Sequence, residues 1–339
     1  MLRLLPMEQN LPQQMMQMLT GGVVAQAIAV AAELGVADRL SAGPKTAVQL
    51  AAAVGADEQK LFRILRFLAG LGIFSVDAEG AWSLTPMAEL LKTDHPASAR
   101  AGARMLGRLS ATYPHMAENV RSGTCAYSLT FGKPIFEDLA DKPEDAAIFD
   151  AAMNSFHGGE TEAVLQAYSY EGVGTLADIG CGAGAVMMAT LQRYPTMRGI
   201  LFDQKHVLGR TEGIVREAGM EGRCELAAGS FFETIPAGAD AYTMRHILHD
   251  WPDEQCVKIL TNIRRVMPAA GRLLVVEAVV PEGNDFSPAK LGDIIMMIFP
   301  DGMERTEAQY RQLFARAGFA LHSVTPTETP VSVIEGRPV

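Results

Sequence analysis

Residues 176–184 of this chain read LADIGCGAG. An apolar run ends in an acid, Asp178, and glycines then alternate at Gly180, Gly182 and Gly184. Small and apolar residues follow at helical spacing, so the stretch reads as strand, tight turn, helix. Glycine tolerates backbone conformations that other residues avoid, and it lets a ligand approach the main chain. A turn of this kind aims backbone N–H groups at whatever sits at the helix start. It asks for a buried strand whose carboxyl end opens toward a nucleotide-like molecule. A tight strand–helix turn with no ligand is the alternative reading of the glycines alone.

The texture of the chain agrees with such a strand. Beyond residue 171, strands near 175–179, 198–203, 223–227, 239–244 and 271–280 alternate with helices. A last helix near 306–317 precedes strands near 319–325 and 331–335. Seven strands in that order predict an α/β fold, a doubly wound, Rossmann-like and mostly parallel sheet. Earlier, residues 15–40 read as helix, and two helices flank GAD, with Asp57 as a cap. IFSVDAEGAWSLT follows as a hairpin, which completes a winged-helix arrangement. Residues 97–170 read as helical, with breaks at Pro114, RSGTCAYSLTFGKP and DKPED. The expected division is a helical winged-helix domain over 1–100, a helical connector over 101–165 and the sheet domain over 166–339.

Charge and composition narrow the partners. Winged helices often bind DNA, but residues 21–95 carry six basic side chains against eight acids and no basic stripe. The whole chain has a formal net charge of −10, which argues against nucleic acid or an anionic membrane as partner. A packing or dimerisation role for this domain is expected instead, with a homodimer built on helices near 11–40. Cys125, Cys181, Cys224 and Cys256 are scattered with no CxxC, which suggests neither a disulfide framework nor a zinc site. A reducing cytoplasm is expected. No apolar stretch is read as approaching the roughly 18–20 residues of a membrane span. MLRLLPMEQNLPQQ lacks the pattern of a signal peptide.

The dinucleotide fingerprint is G-x-G-x-x-G, and here the third glycine comes one residue early. A second acid, Asp203, ends the next strand in RGILFD. S-adenosylmethionine fits this spacing. Its zwitterionic tail needs close backbone approach and an acid for its ammonium, a role for Asp178, and its ribose hydroxyls suit Asp203.

The chain resembles the class I S-adenosylmethionine-dependent methyltransferases. More narrowly, it is similar to the plant caffeate and bacterial antibiotic-type small-molecule O-methyltransferases. The segments that carry the resemblance are FDAAMNSF (149–156), LADIGCGAG (176–184), ADAYTMRHILHDWPDEQC (239–256), GRLLVVEAVVP (271–281) and DGMERTEAQYRQLFARAGF (301–319). It implies methyl transfer to a small-molecule hydroxyl, with S-adenosylhomocysteine as product and no metal. It also implies His249 as general base, oriented by Glu304 and flanked by Glu277. Gly180, Gly182, Gly184 and Asp203 match cofactor positions. Ser230 and Phe231 stand where relatives have Asp-Met under the adenine, and Arg245 stands where they have lysine. Tyr127, Phe131, Met153, Phe156 and His157 match acceptor-lining positions, with core packing as the alternative for the aromatic and methionine side chains. His246 and His249 fall three apart, a spacing that invites a metal, but no third ligand stands at suitable spacing.

Arg104 and Arg108 share one helix face and could clamp a carboxylate. The alternative is an acid-paired helix surface. The arginines motivate a second enzymatic reading, S-methylation of a small anionic thioether such as 4-methylthio-2-hydroxybutyrate, which needs no base. A third reading is a cofactor-sensing winged-helix regulator.

Overall fold

The computed structural model describes residues 10–339; the opening of the segment read as lacking a signal peptide, residues 1–9, lies outside them. The chain forms two compact units. One comprises residues up to Pro114 together with Glu137–His157, and the other comprises His115–Phe136 together with Gly158–Val339. The stretch 101–165 is thus shared between the units.

In the first unit, helices Leu11–Leu19 and Gly21–Glu33 are separated only by Thr20. The combined Leu11–Glu33 run has 23 residues and a mean hydropathy of 1.5, long and apolar enough to cross a membrane by composition alone. That corrects the expectation that no such stretch exists. A core helix passes the same test, and Ala27, Ala29, Ala31 and Ala32 are buried here. The first of the two helices buries none of its side chains and exposes Leu11, Met15, Met16, Met18 and Leu19. Next come strand β1 (Lys45–Thr46) and helices Ala47–Val54 and Glu58–Gly70. Thr46 and Gln49 form a reciprocal capping box, and the Asp57 carboxylate accepts the Lys60 amide at 2.9 Å. Strands β2 (Phe74–Val76) and β3 (Ala81–Leu84) pair antiparallel as the wing. Leu50, Leu61, Leu65, Leu68, Phe74 and Trp82 bury the core between them.

The second unit is built on β4 (Thr175–Ile179), β5 (Arg198–Asp203), β6 (Cys224–Ala228), β7 (Ala241–Arg245), β8 (Arg272–Ala278), β9 (Phe319–Pro326) and β10 (Val331–Pro338). They form one seven-stranded sheet of order β6-β5-β4-β7-β8-β10-β9. The first five run parallel, and β10 pairs antiparallel with both β8 and β9. Strand side chains alternate between two cores because a strand repeats every two residues. Leu176, Leu201, Leu274 and Val276 pack with Met187 and Leu191 on one face, while Ala177, Ile179, Phe202 and Val275 pack with Ile259, Ile263 and Phe314 on the other. The helix Pro288–Ile298, absent from the sequence reading, starts at a Ser287 cap with proline in its first turn. The direction of winding reverses between β4 and β7. In sheets of this kind the crevice outside the carboxyl ends at that point is the ligand site.

Candidate active site

After β4 the chain turns through Gly180, Gly182 and Gly184, all left-handed at φ 75°, 54° and 76°. The amides of Gly180 and Cys181 donate to the Phe202 carbonyl at the end of β5 (2.9 and 3.2 Å). The Gly182 amide donates to Asp203 Oδ2 at 2.9 Å, and Asp203 Oδ1 accepts the Gln204 amide at 2.7 Å. Asp203 therefore braces the glycine turn as well as ending its strand. The glycines differ in what a side chain would meet. A Cβ on Gly180 would overlap the Ile247 side chain, whereas one on Gly182 meets nothing within 4 Å.

Beneath the turn, Asp178 is 3% exposed, and no donor among the described residues hydrogen-bonds its carboxylate. Burial pushes its pKa up to about 7, with Arg245 opposing and Asp203 adding to the shift. The hydroxyls of Thr243, its register partner on β7, and of Tyr170 are also buried without partners. A buried acid with idle polar neighbours fits a cationic group that would complete it. Ser230 Oγ accepts the Phe232 amide at 3.3 Å, and Phe231 lies edge-on to Phe232 and Trp251. Arg245 donates to Thr161 Oγ1 at 3.0 Å and lies 4.0 Å from Glu160 Oε2.

The second turn follows β7. His246 has φ +54°, and its Nε2 meets Glu160 Oε2 at 2.7 Å. Leu248–Asp250 is one 3-10 turn, so His246 and His249 do not share a helix face, although their rings lie 5.1 Å apart. The two acids expected beside His249 have different partners. Glu304 takes the ring, with Oε1 2.8 Å from His249 Nδ1. Glu277 takes the backbone: its Oε1 meets the amides of Ile247, Leu248 and His249 at 3.1, 2.6 and 3.2 Å. His249 Nε2 lies 3.6 Å from Asp250 Oδ1. Burial opposes a charged ring, but Asp250, Glu304 and Glu277 outweigh it and push His249 up to about 10. Burial also raises Glu304, against the pull of the imidazole.

Several residues holding this turn were not singled out from the sequence. Arg305, wholly buried, donates to the carbonyls of Leu248 (3.0 Å) and Trp251 (2.9 Å) and to Asp253 (2.8 Å). Met303 N donates to the His249 carbonyl at 2.8 Å, and a Cβ on Gly302 would overlap that oxygen. Tyr310 donates to Glu277 Oε2 at 2.5 Å. Arg305 and Tyr310 both lie in the segment 301–319 that carries the resemblance, but nothing in it gave either of them a task.

The residues expected at the acceptor fall in both units. In the first, Arg104 pairs bidentately with Glu33 (2.6 and 3.2 Å), and Arg108 pairs with Glu33 and Asp145. Met153, Phe156 and His157 share the helix Pro143–His157; Met153 and His157 are half-buried, and Phe156 is exposed. In the second, Tyr127 is buried against the exposed Phe131, ring centroids 4.5 Å apart.

A glycine turn at the switch point of this sheet, beside a histidine–glutamate pair after β7, defines the class as a Rossmann-like methyltransferase. The chain belongs to the O-methyltransferase family: the family's O-methyltransferase domain matches residues 113–320 and its O-methyltransferase dimerisation domain matches 16–94. It is thus an enzyme that methylates small molecules on oxygen. It is 39% identical over 326 residues to phenazine O-methyltransferase PhzM of Lysobacter antibioticus, covering 96% of each chain. The crystal structure of LaPhzM matches with a TM-score of 0.93 at 39% identity, over 98% of this chain and 100% of that one. NcsB1, an O-methyltransferase from neocarzinostatin biosynthesis, was crystallised with S-adenosylmethionine and 2-hydroxy-5-methyl naphthoic acid. It matches with a TM-score of 0.83 at 32% identity, over 93% of this chain and 96% of that one.

Proposed function

We propose that this protein moves the methyl group of S-adenosylmethionine to a hydroxyl of a small aromatic molecule, with His249 as general base, and works as a cytoplasmic homodimer. The observation that carries the base is the way His249 is held. Its amide, its carbonyl and its Nδ1 are each committed to a fixed partner, which leaves Nε2 for an acceptor's proton. When bound, S-adenosylmethionine supplies a methyl group on a cationic sulfur. Asp178 would take its ammonium, the open face at Gly182 would admit its tail, and Asp203 would hold its ribose. Ser230, Phe231 and Arg245 would border the adenine.

An aromatic hydroxyl ionises near pH 10, so a base that shares its proton lowers the barrier. His249 does this only when neutral. Three carboxylates favour its charged form, and the positive charge of the bound donor opposes it. Glu304 fixes the tautomer that leaves Nε2 free of hydrogen, as in other base–orienter pairs. An aromatic acceptor is in keeping with the phenazine and naphthoic acid of the relatives. Tyr127 and Phe131, in the unit that carries His249, are the side chains we assign to it.

The dimerisation-domain match and the exposed apolar side chains of Leu11–Leu19 support the homodimer. S-methylation of an anionic thioether leaned on Arg104 and Arg108 as a clamp, and Glu33 and Asp145 already occupy both guanidiniums. A methyl-transfer assay across phenols, hydroxynaphthoic acids and carboxylated thioethers, run with wild type and His249→Ala, tests the reading. Preference for the thioethers, or a His249→Ala enzyme at wild-type speed on its best phenol, would sink it.

A further inference from the structure

The turn that carries His249 is held by charge at both ends, and one contributor lies outside the reacting groups. Three consecutive amides, 247 to 249, converge on one oxygen of Glu277. Free amides at the start of a helical turn attract an anion, and here strand β8 delivers it. The other oxygen of Glu277 accepts the hydroxyl of Tyr310, on the helix Glu307–Arg316. Both side chains are wholly buried. On the far side, Arg305 and the Met303 amide hold the carbonyls of residues 248, 249 and 251.

We propose that Tyr310 is a positioning residue for the methyl-transfer reaction: its hydroxyl locks the Glu277 carboxylate, and that carboxylate fixes the backbone from which His249 reaches the acceptor. This rests on the reading of His249 as general base. A carboxylate oxygen that loses its donor in a dry core is left unsatisfied, and the side chain shifts to recover one. Glu277 cannot shift without dragging three amides of the turn. Displacements of about 1 Å at a reacting group cost on the order of 10²-fold in rate. Burial and the neighbouring carboxylate also push the Tyr310 hydroxyl well above its usual ionisation range, so it remains a donor at working pH.

The test is a double-mutant comparison of Tyr310→Phe, His249→Ala and the pair, with melting curves to confirm folding. Tyr310→Phe is expected to lower kcat by roughly 10- to 100-fold with both KM values within about twofold. In the His249→Ala background the same change is expected to cost almost nothing, because there is no base left to position. An equal loss in both backgrounds, an unchanged kcat, or a loss confined to KM overturns the proposal. Should Tyr310→Phe not fold, Glu277→Gln replaces it in the same cycle. It keeps the shape and weakens both sets of hydrogen bonds, and a kcat within about twofold of wild type would overturn the proposal. A His249→Ala enzyme at full speed removes the base reading and this proposal together. A crippled His249→Ala beside an unimpaired Tyr310→Phe removes only the proposal.

Discussion

Two turns stand at the carboxyl edge of the same sheet, and they are built by opposite means. The turn after β4 is made of backbone: three left-handed glycines, amides tied to the end of β5, and open space at Gly182. The turn after β7 is made of side chains from elsewhere: Glu277 from β8, Glu304 and Arg305 from the loop before the last helix, and Tyr310 from that helix. The first offers a surface that many nucleotide-like ligands could use. The second points one ring nitrogen in one direction. Binding a cofactor asks for approach, and moving a proton asks for placement, so the two turns should fail in different ways when altered.

The largest contrast comes from the base itself. His249→Ala is expected to lower kcat by about 10²–10⁴-fold, the usual worth of general-base catalysis, with cofactor affinity unchanged by calorimetry. Weaker cofactor binding in that variant would break the separation between the two turns.

Gly302→Ala should follow, at roughly 10²-fold in kcat, because the added carbon displaces the carbonyl of His249. Its counterpart, Gly182→Ala, meets no neighbour but is strained by its left-handed backbone and fills the open side of the first turn. It should raise the dissociation constant of the cofactor and leave the single-turnover rate at saturation nearly intact. Steady binding and a fallen rate would reverse the assignment.

A titration of about tenfold comes next. Asp178 ionises near pH 7 in the cofactor-free protein, raised by burial. Its charged form is the one that pairs with an ammonium, so cofactor affinity should weaken about tenfold from pH 8 to pH 6. Asp178→Asn should bind weakly and show no such slope. At the other turn the sign is the same for a different reason: His249 is raised, and it accepts a proton only above its pKa. The rate should therefore climb with pH, and Glu304→Gln, which removes one raising charge, should move that climb to lower pH.

The smallest effect belongs to neither turn. Arg104→Ala breaks a partly exposed pair with Glu33, worth under about 1 kcal/mol of stability. The acceptor KM should stay within about threefold. A much larger rise on a carboxylated acceptor would bring back the arginine clamp.

The first turn was nearly all legible in the sequence. Acid, glycine spacing and the second acid at Asp203 lie within 26 residues, and a strand and a helix start position them without help from distant segments. The cap at Asp57 follows from a pattern equally local. The apolar run over Leu11–Glu33 was underrated because alanines and glycines interrupt its larger side chains. At the second turn the participants were visible, and the resemblance already gave Glu304 the task of orienting the His249 ring. That Glu277 holds the backbone of the turn was not legible.

What the sequence by itself determined is whatever a short stretch of chain imposes: strand and helix order, a glycine turn at the switch point, the cap at Asp57, and the presence of a histidine with acids to serve it. The tertiary structure alone decided that Glu277 holds the backbone of the turn, that Tyr310 stands behind it, and that Arg104 and Arg108 are spent on Glu33 and Asp145. The physical reason is range. Dihedral preferences and capping act over a few residues, whereas a hydrogen bond between residues 277 and 310, or 249 and 304, exists only once packing has placed their elements side by side.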